Sequence, residues 1–333
     1  MTAASASTGT APAFAAGDRV LIVAVHPDDE TLATGGLIQA AQAAGAAVRV
    51  VFVTDGDDNP WPQRWIERRW RIDAAARRRW GARRRDEARI ALATLGVAAE
   101  ATRFLGLPDQ GLTALLTSGD VLERALRTEI EAFDPTWTAG PSRVDRHPDH
   151  SAVAVALDRI GRLGGRPAPA RRLAAVVHGA TDTAEVVLAL DADTLRRKRE
   201  ALSAYRTQLA LSRGRLERMA AVVERYTSEA APASPGLLTL RFPPHRRLLA
   251  RHALLIVAEG EGGAIERRRL DLPAHPSADA DSGLPFGWRL TVEPRALTLW
   301  PGAASGPLYA KIERLGPRLI VFDADGWHRW LPR

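Results

Sequence analysis

Two apolar runs near the start, RVLIVAV (19–25) and VRVVFV (48–53), flank LATGGLIQAAQAAG, a segment that reads as a helix stopped by Gly45. Continuous apolar runs of this kind suit strands buried on both faces. Strand, helix and strand in so short a span form a βαβ unit, which requires parallel strands. This pattern predicts an α/β domain: a Rossmann-like three-layer sandwich around a mostly parallel sheet.

The alternation continues downstream. Further strands are predicted at ATRFLG, 135–139, LAAVVHGA and EVVLAL, and helices over 63–95, 119–133, 151–163, 193–208 and 213–226. Gly81 is a candidate break in the first helix, and Asp120 a candidate cap of the second. After Tyr226 the texture changes: SEAAPASPG reads as a linker, and short apolar runs then alternate with Pro and Gly. The expected organisation is a lead-in over 1–17, an α/β domain over 18–228, and a small β-rich C-terminal appendage over 229–333.

At 333 residues and 46% hydrophobic content, the chain has ample material for a core. It has no cysteine, so disulfides and thiolate metal sites are excluded. The first residues lack a basic start and an apolar stretch, and no run approaches a membrane span, so a soluble cytoplasmic protein is expected.

The first strand runs straight into His26-Pro27-Asp28-Asp29-Glu30, and the strand at 135–139 is followed by His147-Pro148-Asp149-His150. In open parallel sheets, functional groups gather beyond the carboxyl ends of strands. Three adjacent acids need a compensating positive charge. A divalent cation held by His26, Asp29 and His150 supplies one. Two imidazoles and a carboxylate without sulfur suit zinc, with iron or cobalt as alternatives. Three protein ligands leave a position open, as in catalytic sites. Asp28, beside the ligand Asp29, is placed to take a proton from water. His147 faces the same space, to support an oxyanion or protonate a departing amine. A lone HPDDE reads equally well as a capped turn; the pairing with HPDH at a second strand end makes coincidence a poor explanation. His275 sits in an isolated His-Pro pair and carries no role. His178 and His252 lie in apolar runs and read as core or surface histidines.

At these residues the chain resembles the LmbE-like (PIG-L) family of zinc-dependent N-acetylglucosaminyl de-N-acetylases. The matching pieces run in family order: HPDDE, the Thr54-Asp55-Gly56 turn, Arg84 and Glu87 on a helix leading to Leu95-Gly96, LGLPDQGL with Asp109, HPDH, and KREALSAYRTQ from Lys198. The resemblance spans about residues 18 to 226. It implies zinc on His26, Asp29 and His150, Asp28 as general base, His147 as electrophile or acid, and Arg84 and Asp109 on sugar hydroxyls. The implied activity is removal of an N-acetyl group from an amino sugar or glycoconjugate. An amidase acting on another amide, such as a thiol conjugate, uses the same site. Gly-Asp-Asp-Asn after the threonine turn departs from the family's usual Gly-Glu.

The formal charge of +7 is local: residues 61–89 hold eleven arginines against four acids. Trp61, Trp65, Trp70 and Trp80 interleave with them. The first expectation is a helix with tryptophans packed inward and arginines solvated. The second is an anionic or phosphorylated glycan as partner, and the third a non-catalytic binder of anionic polymers; nucleic acid is not favoured.

Overall fold

The computed structural model describes residues 10–163, 171–179, 184–228, 236–242, 252–260, 263–272, 284–293, 296–302, 306–315 and 322–332. His275, most of the linker after Tyr226 and the first nine residues lie outside them.

Seven strands build the central sheet: β1 (Arg19–Ala24), β2 (Ala47–Thr54), β3 (Thr102–Leu107), β4 (Trp137–Pro141), β5 (Arg171–Ala175), β6 (Val186–Ala189) and β7 (Val223–Ser228). Their order is β3-β2-β1-β4-β5-β7-β6. The first five are parallel, and β7 and β6 join antiparallel. The order reverses between β1 and β4. That leaves a crevice beyond their carboxyl ends, where HPDDE and HPDH both emerge.

Among the described residues there are nine α-helices: α1 (Asp29–Ala43), α2 (Pro60–Glu67), α3 (Ala74–Thr94), α4 (Leu112–Ser118), α5 (Val121–Phe133), α6 (Pro148–Leu163), α7 (Ala192–Ser203), α8 (Arg206–Leu209) and α9 (Arg215–Met219). Alternation along β1 divides the core. Val20, Ile22 and Ala24 pack with α1, α3 and α7, whereas Leu21 and Val23 pack with α4, α5 and α6. The α/β three-layer architecture is thus the one expected. Among the described residues no helix is long and apolar enough to cross a membrane.

Three expectations change. The helix over 63–95 is two helices, broken where Arg68 takes a left-handed conformation (φ 51°). Asp73 restarts it by accepting from Ala76 N at 2.8 Å. Gly81 does not break α3; it lets α3 approach Asp55 and Asp57 closely. The helix over 213–226 is one short turn, α9, followed by β7. VERYTS, with β-branched and aromatic residues, fills the gap between β5 and β6, and sheet pairing overrides local helical tendency. The end of the lead-in is packed: Thr10 bridges Val186, and Phe14 lies edge-on to Trp137 at 4.9 Å.

The C-terminal strands are β8 (Leu238–Arg241), β9 (His252–Glu259), β10 (Ile265–Leu272), β11 (Arg289–Val292), β12 (Ala296–Trp300), β13 (Leu308–Arg314) and β14 (His328–Trp330). They form a four-stranded sheet, β10-β9-β13-β14, and a three-stranded sheet, β11-β12-β8. Every residue of β9 is buried. Leu254, Ile256 and Ala258 face the smaller sheet, while Ala253, Leu255 and Val257, with Tyr309 and Trp327, join the core around α4 and α6. Charge reinforces this docking: Arg159 of α6 is buried between Glu123 and Glu259, and Asp158 meets Tyr309 Oη at 2.6 Å and Arg329 Nη1 at 2.8 Å.

Candidate active site

The turn after β1 is tight and strained. Asp28 has φ 136°, a conformation that costs a side-chain-bearing residue free energy, and such strain persists only where the surroundings enforce it. Two groups do so. Arg84, buried on α3, donates to Pro27 O at 2.6 Å and to Gly56 O at 2.7 Å, and its Nη2 lies 3.6 Å from Asp28 Oδ1. Glu30 accepts from Asp28 N at 3.1 Å, from Thr31 Oγ1 and from Tyr205 Oη. Gly56 (φ 62°) is required beneath Arg84, since a Cβ there would collide with the guanidinium.

Three donor atoms converge in the crevice. His26 Nδ1 lies 3.4 Å from Asp29 Oδ2, His150 Nε2 lies 3.1 Å from Asp29 Oδ2, and the two ring nitrogens are 3.2 Å apart. Tetrahedral donors about 2.0–2.1 Å from an ion are spaced roughly 3.3 Å from one another. The spacing of the three donors therefore suits a zinc-sized cation. The three ligand residues predicted from sequence are brought together across 124 positions of chain.

Behind them sits Asp145, fully buried, which sequence reading missed. Its carboxylate accepts from His147 N, Val177 N and His178 N at 2.7–3.0 Å, and its Oδ2 lies 3.3 Å from His150 Nδ1. It thereby fixes both the HPDH turn and the far nitrogen of His150, the one turned away from the cluster. Asp149, inside HPDH, accepts from Gln110 N and Leu112 N and so holds the loop bearing Asp109 against the site. Asp109 in turn accepts from Asp58 N, and its Oδ1 is 3.2 Å from His26 Nε2.

The electrostatics follow from burial and neighbours. Burial pushes Asp28 up to about 7, with Arg84 opposing and Asp29 adding to the rise. Burial also lifts Glu30 to about 7. Asp29 resists burial because His150 and His26 hold its carboxyl well below the usual range. Despite burial, Asp29 and Asp145 raise His150 to about 10, and Asp109, Asp149 and Asp29 raise His26. His147 goes the other way: burial and the neighbouring His26, His150 and His178 push it well below the usual imidazole value. Its Nδ1 accepts from Asp149 N at 3.2 Å, so the proton of the neutral ring sits on Nε2.

A cavity of about 450 Å³ opens over this cluster. His26, Asp28, Asp29 and His147 lie on its wall with Arg84 and Asp109, and Asp58, Trp61, Gln208 and Arg215 extend that wall. All seven sequence-predicted site residues are therefore at one place, six on the cavity and His150 just behind it. The cavity also takes His178 and Phe322. His178 reads as a core or surface histidine in sequence, but β5 ends at Ala175 and delivers it to the same sheet edge. The tryptophans divide. Trp80 is fully buried, as expected, but Trp61, Trp65 and Trp70 are 52%, 68% and 77% exposed, with Arg64 stacked on Trp61 and Trp70.

Residues 21–160 match the family model PIG-L, GlcNAc-PI de-N-acetylase. A 1D-myo-inositol 2-acetamido-2-deoxy-alpha-D-glucopyranoside deacetylase from Mycolicibacterium vanbaalenii is 30% identical over 205 residues, covering 53% of this chain and 69% of the relative. The chain belongs to the PIG-L family. A second deacetylase of the same description, from Mycolicibacterium gilvum, is 34% identical over 148 residues, which is 40% of this chain and 50% of that relative. Among solved structures, N,N'-diacetylchitobiose deacetylase from Pyrococcus horikoshii aligns at 18% identity and a TM-score of 0.48, over 63% of this chain and 83% of the other. Two further PIG-L-like positions act as braces here. Glu87 ties α3 to Thr207, and Lys198, buried against Gly35, donates to Glu224 at 2.6 Å while Glu224 accepts from Gly36 N and Leu37 N.

Proposed function

We propose that the protein is a metal-dependent hydrolase that removes the N-acetyl group from an amino sugar or glycoconjugate. The observation that carries this reading is the convergence of His26 Nδ1, Asp29 Oδ2 and His150 Nε2 within 3.1–3.4 Å of one another at the floor of a solvent-reached cavity. These three residues would hold the ion, with zinc favoured and iron or cobalt as alternatives. Bound there, it supplies Lewis acidity, which lowers the pKa of water to about 7 and polarises a carbonyl. The PIG-L relatives named as deacetylases of an acetamido-sugar inositol support the substrate class.

The chain's own residues do the rest. Asp28, held at the cavity wall by its strained turn, takes the proton of the attacking water as oxygen bonds to the amide carbon. His147 donates its Nε2 hydrogen to the carbonyl oxygen as negative charge develops. Asp28 then gives its proton to the nitrogen as the C–N bond breaks, releasing acetate and a free amine. Asp109, with Arg84 beside it, lines the polar wall suited to sugar hydroxyls. The exposed Trp61, Trp65 and Trp70 among arginines favour an anionic group on the substrate's far end.

The test is acetate release from N-acetylglucosaminyl conjugates. Asp28→Asn lowers kcat by about 10²–10⁴, and chelation abolishes turnover until zinc is restored. Undiminished turnover by Asp28→Asn would reject the assigned base.

A further inference from the structure

Phe322 lies far beyond the PIG-L match at 21–160, yet it forms part of the cavity wall. Its ring is 4.8 Å from that of His178 and 6.0 Å from that of His147. The segment carrying it is fastened to the loop between β4 and HPDH. Asp323 N donates to Arg146 O at 2.9 Å, Arg146 Nε to Asp323 O at 3.0 Å, and Trp327 N to Arg143 O at 2.8 Å. Gly326 packs so closely on Arg143 and Val144 that no Cβ fits between them. Below, the fully buried Lys311 joins Asp323 Oδ2 at 2.5 Å and lies 3.4 Å from Ser151 Oγ, one residue after the ligand His150. Trp327 is buried in the core shared with α6. The position of Phe322 is therefore fixed to the same loop that fixes His147.

The cavity wall is mixed. Asp58, Arg84, Asp109, Gln208 and Arg215 supply polar groups and Leu32, Trp61, Leu211 and Leu216 apolar ones, while the rings of Phe322 and His178 lie together near that of His147 as an aromatic corner. We propose that Phe322 is a specificity residue of the active site, the wall against which the apolar acyl group of the amide packs and which limits its length. The inference rests on the hydrolase reading. With the carbonyl oxygen on His147 Nε2 and sugar hydroxyls on the polar groups, the acyl carbon chain points into the aromatic corner. The C-terminal β segment is then part of the enzyme's substrate pocket.

The experiment compares kcat/KM for N-acetyl, N-propionyl, N-butyryl and N-benzoyl forms of one glucosaminyl conjugate in wild type, Phe322→Ala and Phe322→Trp. A methylene accommodated or excluded by an apolar pocket changes discrimination by about 10–200-fold. Wild type should prefer acetyl. Phe322→Ala should raise the butyryl-to-acetyl ratio by about tenfold or more, and Phe322→Trp should lower it. The fastening bonds at 323 and 146 are largely backbone, so Phe322→Ala keeps them, which unchanged thermal unfolding verifies. Turnover with the same acyl ranking in all three proteins overturns the role of Phe322 and leaves the hydrolase reading standing. A folded, zinc-loaded wild type that cleaves none of the amides refutes that reading and this inference with it.

Discussion

Asp145→Asn tests whether the proposed metal cluster of His26, Asp29 and His150 is held by the residues behind it. The Asp145 carboxylate is fully buried, takes three backbone N–H bonds of 2.7–3.0 Å and lies 3.3 Å from His150 Nδ1. The substitution keeps shape but turns one acceptor oxygen into a donor. On either side, an NH₂ then faces at least one N–H. Losing a hydrogen bond to a charged group costs about 1.5–3 kcal/mol, and an unsatisfied buried donor costs about 1–3 kcal/mol. These overlap, so a stability loss of roughly 2–4 kcal/mol is expected. His150 also loses the negative neighbour that raises its basicity, and outer-shell changes of this type weaken metal binding about 10–100-fold, equivalent to about 1.4–2.8 kcal/mol. The assay is zinc competition against a chromophoric chelator, run well below the unfolding temperature, alongside thermal melts with and without zinc. A folded Asp145→Asn protein that binds zinc within twofold of wild type would refute the reasoning.

Two other substitutions probe separate parts of the molecule. His147→Ala removes one preorganised donor and should lower kcat by about 10²–10³ with zinc affinity little changed; an equal loss of zinc binding would make His147 a ligand instead. Asp158 anchors the C-terminal sheet, and although burial raises its pKa, Arg162, Arg172 and Arg329 bring it below the ordinary value. A carboxyl with a depressed folded pKa stabilises above its unfolded pKa and loses that contribution as pH falls. The stability gap between wild type and Asp158→Asn should therefore be full at pH 7 and narrow below about pH 4; a gap independent of pH would contradict the pairing.

Much of this was legible in the sequence because it rests on local signals. The apolar runs of β1 and β2 bracket a helix, and they fix the parallel layer and hence the edge where HPDDE emerges. His26, Asp29 and His150 are legible because histidine and acids at two strand ends have few other reasons to be there. What sequence could not reveal depends on contacts distant in the chain. VERYTS becomes β7 only because β5 and β6 leave it a place in the sheet. Asp145 looks like one more loop acid until three backbone N–H groups turn toward it. Glu30 shows the converse: its place in HPDDE is visible, but its task of holding Asp28 N and Tyr205 needs a partner 175 residues away. Phe322 carries no motif, and it reaches the site through the docking of β9 and β13 on α6 and the bonds of Asp323 and Trp327 to the loop after β4.

The most direct measurement is X-ray absorption at the zinc edge, with metal titration, on wild type and on His26→Ala, Asp29→Ala and His150→Ala. The expected result is one zinc per chain with two imidazoles and oxygen donors around it, and a loss of about 10²-fold or more in affinity in each variant whose fold is intact by circular dichroism. A folded wild type that binds no zinc, iron or cobalt tightly, or a His150→Ala protein that keeps its metal unchanged, would contradict it.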